Sequence, residues 1–216
     1  MHFDVEIPAI MNQVIKSIDA GPVVTKINNR KILEGYYSGL DMENTPEAIR
    51  LIDKVDKIGF DGVADLLKDE LGLNTKTVDK IFQLTQIRGS GQQVVDQIQN
   101  LGVHSELLNQ GLTELTFVMQ ELEHIDKEAF SVDLSIARGL AYYTGTVYET
   151  RFAEYPAYPS ICGGGRYDNL VGDFVSKRLP GIGISIGLSR IFAKLLKEKR
   201  IKTDKKSPTE ILVIHT

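Results

Sequence analysis

The feature that most constrains the fold is a change of hydrophobic period along the chain. From residue 41 to about 125 the apolar residues recur at helical spacing, with hardly any alternation of the β type. "NTPEAIRLIDKV" opens this stretch with Asn44 or Thr45 as N-cap, Pro46 at the first helical position and Glu47 in the first turn. Ile49, Ile52, Val55 and Ile58 then follow on one face. Further helices are predicted at 61–71, ended by Gly72, at 75–87, entered through Asn74 or Thr75, and at 91–101 and 105–124. At 131 the period turns to two: Val132, Leu134 and Ile136 alternate with Asp133, Ser135 and Ala137. Such a chain reads as α+β, a helical unit set into a β-rich frame. The Lys and Asp/Glu runs of the helical unit read as solvated helix faces.

The flanks supply the frame. A helix is predicted over 5–19, where Ile7, Ile10, Met11, Val14, Ile15 and Ile18 share helical spacing and Pro8 lies near the first turn. "GPVVTKINNRKIL" gives a turn, a strand over 22–28 and a helix capped by one of the asparagines. After the period-two segment, a turn at Thr144–Gly145 leads to the strand "TVYETRF", a loop "AEYPAYPS", the run "CGGGRYDNLV", the apolar strand "GIGISIG" and the amphipathic helix "LSRIFAKLLKE". A charged linker then precedes "ILVIHT", read as a lone strand. The partition is 1–40 and 127–199 for the frame, 41–126 for the helical unit, and 200–216 for a linker with the first strand of a further domain.

With 216 residues the chain can bury a substantial core. A net charge of −4 argues against a chain held to nucleic acid by overall charge, though not against a local basic surface. The lone Cys162 rules out an intramolecular disulfide, which fits a reducing, cytoplasmic setting, and reads as a small buried hydrophobe. No apolar run approaches membrane-spanning length. No two of the four histidines have metal-ligand spacing, so no zinc site is expected. The nucleophile elbow and the phosphate loop of nucleoside triphosphatases are both missing. The glycines of "GIGISIG", at 181, 183 and 187, are one residue off the dinucleotide fingerprint; taken alone they serve close strand–helix packing.

Three segments carry chemistry. "IARGLAYYTGTVYE" sets Arg138 where the strand alternation ends, with Gly139 beside it. Tyr142 and Tyr143 are adjacent, so in an extended segment they point to opposite faces and cannot both be core. A hairpin with one buried tyrosine and a surface arginine would account for this segment on its own. "SICGGGRYDNLVGDF" orders three successive glycines before Arg166, Tyr167 and Asp168, which makes sense where backbone must touch a ligand. "GIGISIGLSRIF" sets Gly187 and Ser189 at a strand-to-helix junction with Arg190 on the first turn, where anions are favoured.

In order and wording these segments resemble the histidyl-tRNA synthetases, a family of class II aminoacyl-tRNA synthetases. "RGLAYYTGTVYE" resembles the family's histidine-specific motif, usually R-G-L-D-Y-Y-T-G. "CGGGRYDNLV" resembles its second histidine motif, "GIGISIGLSRI" its motif 3, and "INNRKILEGY" the segment before its helical insertion. The resemblance implies an antiparallel-sheet catalytic domain with an inserted helical domain that reaches towards the tRNA acceptor stem. It implies ATP as a substrate, Mg²⁺ carried in with ATP rather than held in a protein cage, and histidine and tRNA(His) as the other substrates, in a homodimer without membrane contact. Arg138 would contact the histidine carboxylate and the α-phosphate as the catalytic cation. Tyr143 and Tyr167 would hold the imidazole, Tyr142 would support them, and Gly163, Gly164 and Gly165 would let backbone approach the amino acid. Arg190, Gly187 and Gly183, with Arg138, would form the ATP side.

The sequence departs from the family at Ala141, which stands where aspartate is usual. Motifs 1 and 2 of class II are not found, so the expectation is a middle-to-C-terminal part of a catalytic domain with little or no adenylate formation of its own. Two other readings stay open at this stage. One is a synthetase-like regulatory paralogue of the ATP phosphoribosyltransferase type that binds histidine without charging tRNA. The other is a tRNA-contacting structural fragment.

Overall fold

The structure, a computed structural model, describes residues 1–136, 142–170, 172, 179–201 and 209–214, without the Asp56 side chain. The first helix, α1 (His2–Ser17), is longer than the pattern predicts, so Pro8 lies inside it rather than in its first turn. The missing Pro8 N–H leaves the Asp4 carbonyl without its helical partner. The first turn is held instead through the buried side chain of Asp4.

Strand β1 (Val23–Asn29) runs directly into helix α2 (Arg30–Ser38), and Asn29 caps that helix by accepting the Lys31 N–H at 2.9 Å. Helix α3 (Thr45–Ile52) is capped by Asn44, and α4 (Val55–Leu71) ends at Gly72 in the left-handed conformation. The apolar series Ile49–Ile58, read as one face, is therefore shared between two helices. Gly59 at φ 75° further interrupts α4. Helix α5 (Thr75–Thr85) is capped by Asn74. The two-residue strand β2 (Arg88–Gly89) comes next, a piece of sheet inside the helical stretch that no alternation announces. Helices α6 (Gly91–Asn100) and α7 (Glu106–Ile125) follow, the latter capped by Ser105.

Four more strands and a helix complete the frame: β3 (Phe130–Asp133), β4 (Thr146–Phe152), β5 (Cys162–Tyr167), β6 (Gly181–Ile186) and α8 (Leu188–Lys197). β3 stops before Leu134 and Ile136, which are buried all the same. The six strands form one sheet in the order β2-β3-β1-β4-β5-β6, antiparallel except for the β1–β3 pair. This α+β arrangement with a mostly antiparallel sheet agrees with the fold class read from the sequence. The segment 211–214 carries no strand, contrary to expectation, and its four apolar side chains are exposed. Strand geometry needs a pairing neighbour, and none faces this segment among the described residues.

Helices α1, α7 and α8 cover one face of the sheet. α7 crosses α2 so closely that a Cβ at Gly111 would come within 2.7 Å of the Ile32 nitrogen, and Gly35 is tighter still against the Leu108 backbone. Large buried side chains, among them Ile27, Tyr36, Tyr37, Leu51, Leu67, Ile81 and Tyr148, form one core that runs from the helices into the sheet. A second cluster around Met11, Ile15, Phe152, Ile161, Cys162, Ile191 and Leu195 seats α8 beside α1.

Candidate functional site

The run of glycines at 163–165 is the centre of a strand, β5, and not a loop. Its register fixes which face each glycine serves. Gly164 lies between Tyr148 and Ile184 and turns to the helix-covered side, where Tyr148 lies across it and donates its hydroxyl to the Gly183 carbonyl at 3.1 Å. A Cβ at Gly164 would run into the Gly183 carbonyl and come within 2.8 Å of the Tyr148 ring. Burial pushes the Tyr148 hydroxyl well above its ordinary pKa.

On the opposite face Gly165 pairs with Gly183, Gly163 with Ser185, and Tyr167 with Gly181. In β6 the alternation G-I-G-I sends Ile182 and Ile184 to the core and leaves Gly181 and Gly183 bare on the other side. These glycines carry tyrosine rings there instead of serving strand–helix packing. Tyr167 covers Gly181 and Gly183, its hydroxyl 2.8 Å from where a Cβ of Gly183 would stand. Tyr143 covers Gly165, with Cδ1 at 3.0 Å from the corresponding point. Tyr142 meets both rings edge-on, at 4.7 Å from Tyr143 and 6.1 Å from Tyr167 between centroids. The opposite-face argument for Tyr142 and Tyr143 fails because both precede β4 and do not lie in extended strand. The bare face continues at Gly163, where the nearest atom to a Cβ would be the Tyr148 carbonyl at 3.6 Å. A small planar ligand can lie flat against backbone there.

Beyond Gly163, on the same face, Glu149 of β4 pairs with Lys26 of β1. A cavity of about 200 Å³ opens over them, lined by Lys26, Arg88, Asp133, Ser135, Glu149 and Arg151 among others. Asp133 is its fixed point: it accepts from Lys26 at 2.6 Å, Arg88 at 3.1 Å and Ser135 at 2.5 Å. Burial alone would raise the pKa of Asp133, but these donors, Lys26 foremost, hold it below the usual carboxylate range. Glu149 accepts from Arg151 at 2.6 Å. The sequence reading missed this charged floor, although charged residues at alternate positions of otherwise apolar strands are its signal.

Arg190 lies in the first turn of α8, three residues beyond the junction at Gly187. Its Nη1 donates to the Ser160 carbonyl at 2.6 Å, and its own carbonyl accepts the Tyr158 hydroxyl at 2.9 Å. Gly187 is 3.6 Å from the Arg190 Cδ when built out to Cβ. At strand rise the four residues from Gly183 to Gly187 span about 13 Å. The tyrosines and Arg190 thus mark the two ends of β6. Arg138, with Gly139 and Ala141, lies outside the described residues. Cys162 is buried with its thiol pKa pushed up to about 11 by burial, which suits the inert hydrophobe read from the sequence.

Behind the tyrosines sits Asp4, which the sequence reading overlooked. The signal was available: Asp4, Pro8, Met11 and Ile15 share the buried face of α1, and an acid on such a stripe needs a partner. Arg166, between the glycines and Tyr167, donates Nε to Asp4 at 2.9 Å and Nη2 to its other oxygen. Burial raises the Asp4 pKa, while the Arg166 hydrogen bonds and charge outweigh it and bring it below the ordinary value.

A family model for histidyl-tRNA synthetase matches residues 1–191. The chain is 48% identical over 214 residues to the histidine–tRNA ligase of Thermobifida fusca, a match that covers 99% of this chain and 49% of the relative. The crystal structure of histidyl-tRNA synthetase from Nostoc sp. superposes with a TM-score of 0.84 at 39% identity, over 93% of this chain and 48% of that one. A Bacillus halodurans structure described as an ATP phosphoribosyltransferase regulatory subunit/histidyl-tRNA synthetase superposes with a TM-score of 0.74 at 22% identity, over 89% and 49%, which is a likeness of fold. The chain thus spans about half the length of the relatives it matches. With a family model over residues 1–191 and a relative 48% identical across 99% of this chain, the chain belongs to the histidyl-tRNA synthetase family.

Proposed function

We propose that this chain carries the histidine-binding part of a histidine–tRNA ligase site. The reading rests above all on one observation: Tyr142, Tyr143 and Tyr167, from two segments of the chain, gather over Gly165, Gly181 and Gly183 on one sheet face. A ring-shaped substrate needs flat apolar walls with a few polar ends, and tyrosine supplies both. The Tyr143 and Tyr167 hydroxyls would bond the imidazole nitrogens, Tyr142 would brace both rings, and Gly163 would admit the amino acid to the backbone.

In the reaction proposed for the family, the histidine carboxylate attacks the α-phosphate of ATP, forming a mixed anhydride and expelling pyrophosphate. The histidyl group then passes to the terminal ribose of tRNA(His). The protein's part is to place the reactants and neutralise growing negative charge. Arg138 would do this at the carboxylate and α-phosphate, where a bidentate guanidinium is suited and lysine is not. Arg190, at the N-terminus of α8 with Gly187, would take the adenine or phosphates at the other end of β6, with Gly183 between. Mg²⁺ would enter on the phosphates of ATP. The segment 41–126 would serve as the insertion domain facing the tRNA acceptor stem, with 1–40 and 127–199 as catalytic domain and 200–216 leading to a further domain. A homodimer in the cytoplasm belongs to the same reading. No helix among the described residues is long and apolar enough to cross a membrane.

Isothermal titration with L-histidine tests the proposal. Saturable binding that Tyr167→Phe and Tyr143→Phe each weaken by about tenfold is the expected result. Histidine-dependent ATP–pyrophosphate exchange by this chain is expected to be little or none, and turnover like that of a full-length synthetase would overturn the reading of it as one part of the catalytic site.

A further inference from the structure

We propose that the Asp4–Arg166 ion pair positions the histidine-binding tyrosines, acting through the sheet from the helix-covered side. This inference rests on the histidine-site reading above and adds to it a device that sets ring geometry. The two tyrosine-bearing segments have no covalent tie nearer than the whole of β4 and β5, and Arg166 joins them. Its carbonyl accepts the Thr144 N–H at 2.9 Å, which fixes the residue after Tyr143. Its Nη1 donates to Asp168 at 3.3 Å, and the Asp168 N–H is held by the Thr144 hydroxyl at 3.2 Å, which fixes the residue after Tyr167. Its side chain fills the space beside Gly145, where a Cβ would be 2.9 Å from the Arg166 Cδ. The turn before β4 is therefore shaped around this arginine.

Arg166 can do this only if its own guanidinium is immobile, and Asp4 provides that. Asp4 is 1% exposed, grips the guanidinium with both oxygens, and sits on α1, whose remaining buried face is packed on the sheet. A two-pronged arginine–carboxylate contact fixes orientation as well as charge. Without Asp4 the guanidinium keeps only the longer, one-pronged contact with Asp168 at 3.3 Å, so its orientation is no longer fixed. Tyr167 is the next residue after Arg166 and points to the opposite face. A shift of the guanidinium therefore tilts the Tyr167 ring on Gly181 and Gly183.

The test compares the whole chain with Asp4→Asn, which removes the charge, and Arg166→Lys, which keeps the charge and removes the fork. Each is labelled with ¹³C at the tyrosine rings and studied well below its melting temperature, with folding checked by circular dichroism. In the ligand-free variants the ring signals of Tyr142, Tyr143 and Tyr167 are expected to move, those of Tyr36 and Tyr37 to stay, and histidine affinity to fall at least tenfold. A merely structural pair would lower the melting temperature and leave both readouts alone. Folded variants with unmoved site signals and wild-type histidine affinity overturn the proposal. If Asp4→Asn does not fold, Arg166→Lys decides alone. Failure of the wild-type chain to bind histidine would sink the functional reading, and the ligand-free ring signals would still judge the ion pair.

Discussion

The chain contains the dipeptide Tyr-Tyr twice, and the two copies have opposite fates. Tyr36 and Tyr37 lie on α2, both with no exposed surface, their rings 6.1 Å apart inside the main core. Burial pushes the Tyr36 hydroxyl up to about 12 and that of Tyr37 further. Tyr36 donates to the Lys80 carbonyl at 3.2 Å, whereas the Tyr37 hydroxyl is buried without a hydrogen-bond partner among the described residues. Tyr142 and Tyr143 stand half-buried at 4.7 Å from one another, on strands stripped to glycine beneath them. The first pair is mass for a core. The second is a surface assembled from rings, and its neighbours rather than its own letters make it so.

The comparison breaks if the two pairs answer alike to truncation. Tyr36→Ala or Tyr37→Ala should cost about 3–5 kcal/mol in urea denaturation, the range for an aromatic removed from a packed core. Tyr143→Ala should cost about 1 kcal/mol or less and abolish histidine binding instead. Equal losses of stability would make the second pair core as well. The glycine bed sharpens the contrast: Gly164→Ala, pressed on the Tyr148 ring and the Gly183 carbonyl, should destabilise by about 1–3 kcal/mol. Gly163→Ala, open to the site face, should stay within about 0.5 kcal/mol and weaken histidine binding.

Acid should act on the frame of the site before it acts on the first pair. Asp4 and Asp133 have folded pKa values below their ordinary one, so their stabilisation is present above the ordinary carboxylate value, near 4. It is lost as pH falls through the depressed folded values. The urea midpoint should therefore hold steady from neutral pH to about 5 and drop below about 4, with a smaller drop in Asp4→Asn. The smallest effect expected is that of Tyr37→Phe. Removal of a buried hydroxyl without a partner should leave stability unchanged or raise it by about 1 kcal/mol.

Much of the fold was legible because local chemistry decided it. Asn29, Asn44, Asn74 and Gly72 marked helix ends that the structure places within a residue or two. Other features depend on partners distant in sequence. β2 exists because Arg88 and Gly89 reach Asp133 and Val132 on β3, a pairing two residues long that leaves no period. The glycine run carries no strand signal of its own and is a strand because β4 and β6 supply ladders on both sides. Of the site, the tyrosines and glycines were visible as residues that a plain hairpin would not need. Their division between the two faces of β5 was hidden until the register was known. Asp4 could be read as an acid in need of a partner, but that partner, Arg166, lies 162 positions away.

The central claim is that the half-buried tyrosine cluster, and not the fully buried pair, meets the amino acid. A histidine titration of the chain with ¹³C-labelled tyrosine rings, assigned through single Tyr→Phe variants, tests it most directly. The account expects the Tyr142, Tyr143 and Tyr167 signals to move together and saturate with one dissociation constant while Tyr36 and Tyr37 stay fixed. Unmoved signals for all three site tyrosines, or shifts spread equally over both pairs, would contradict it.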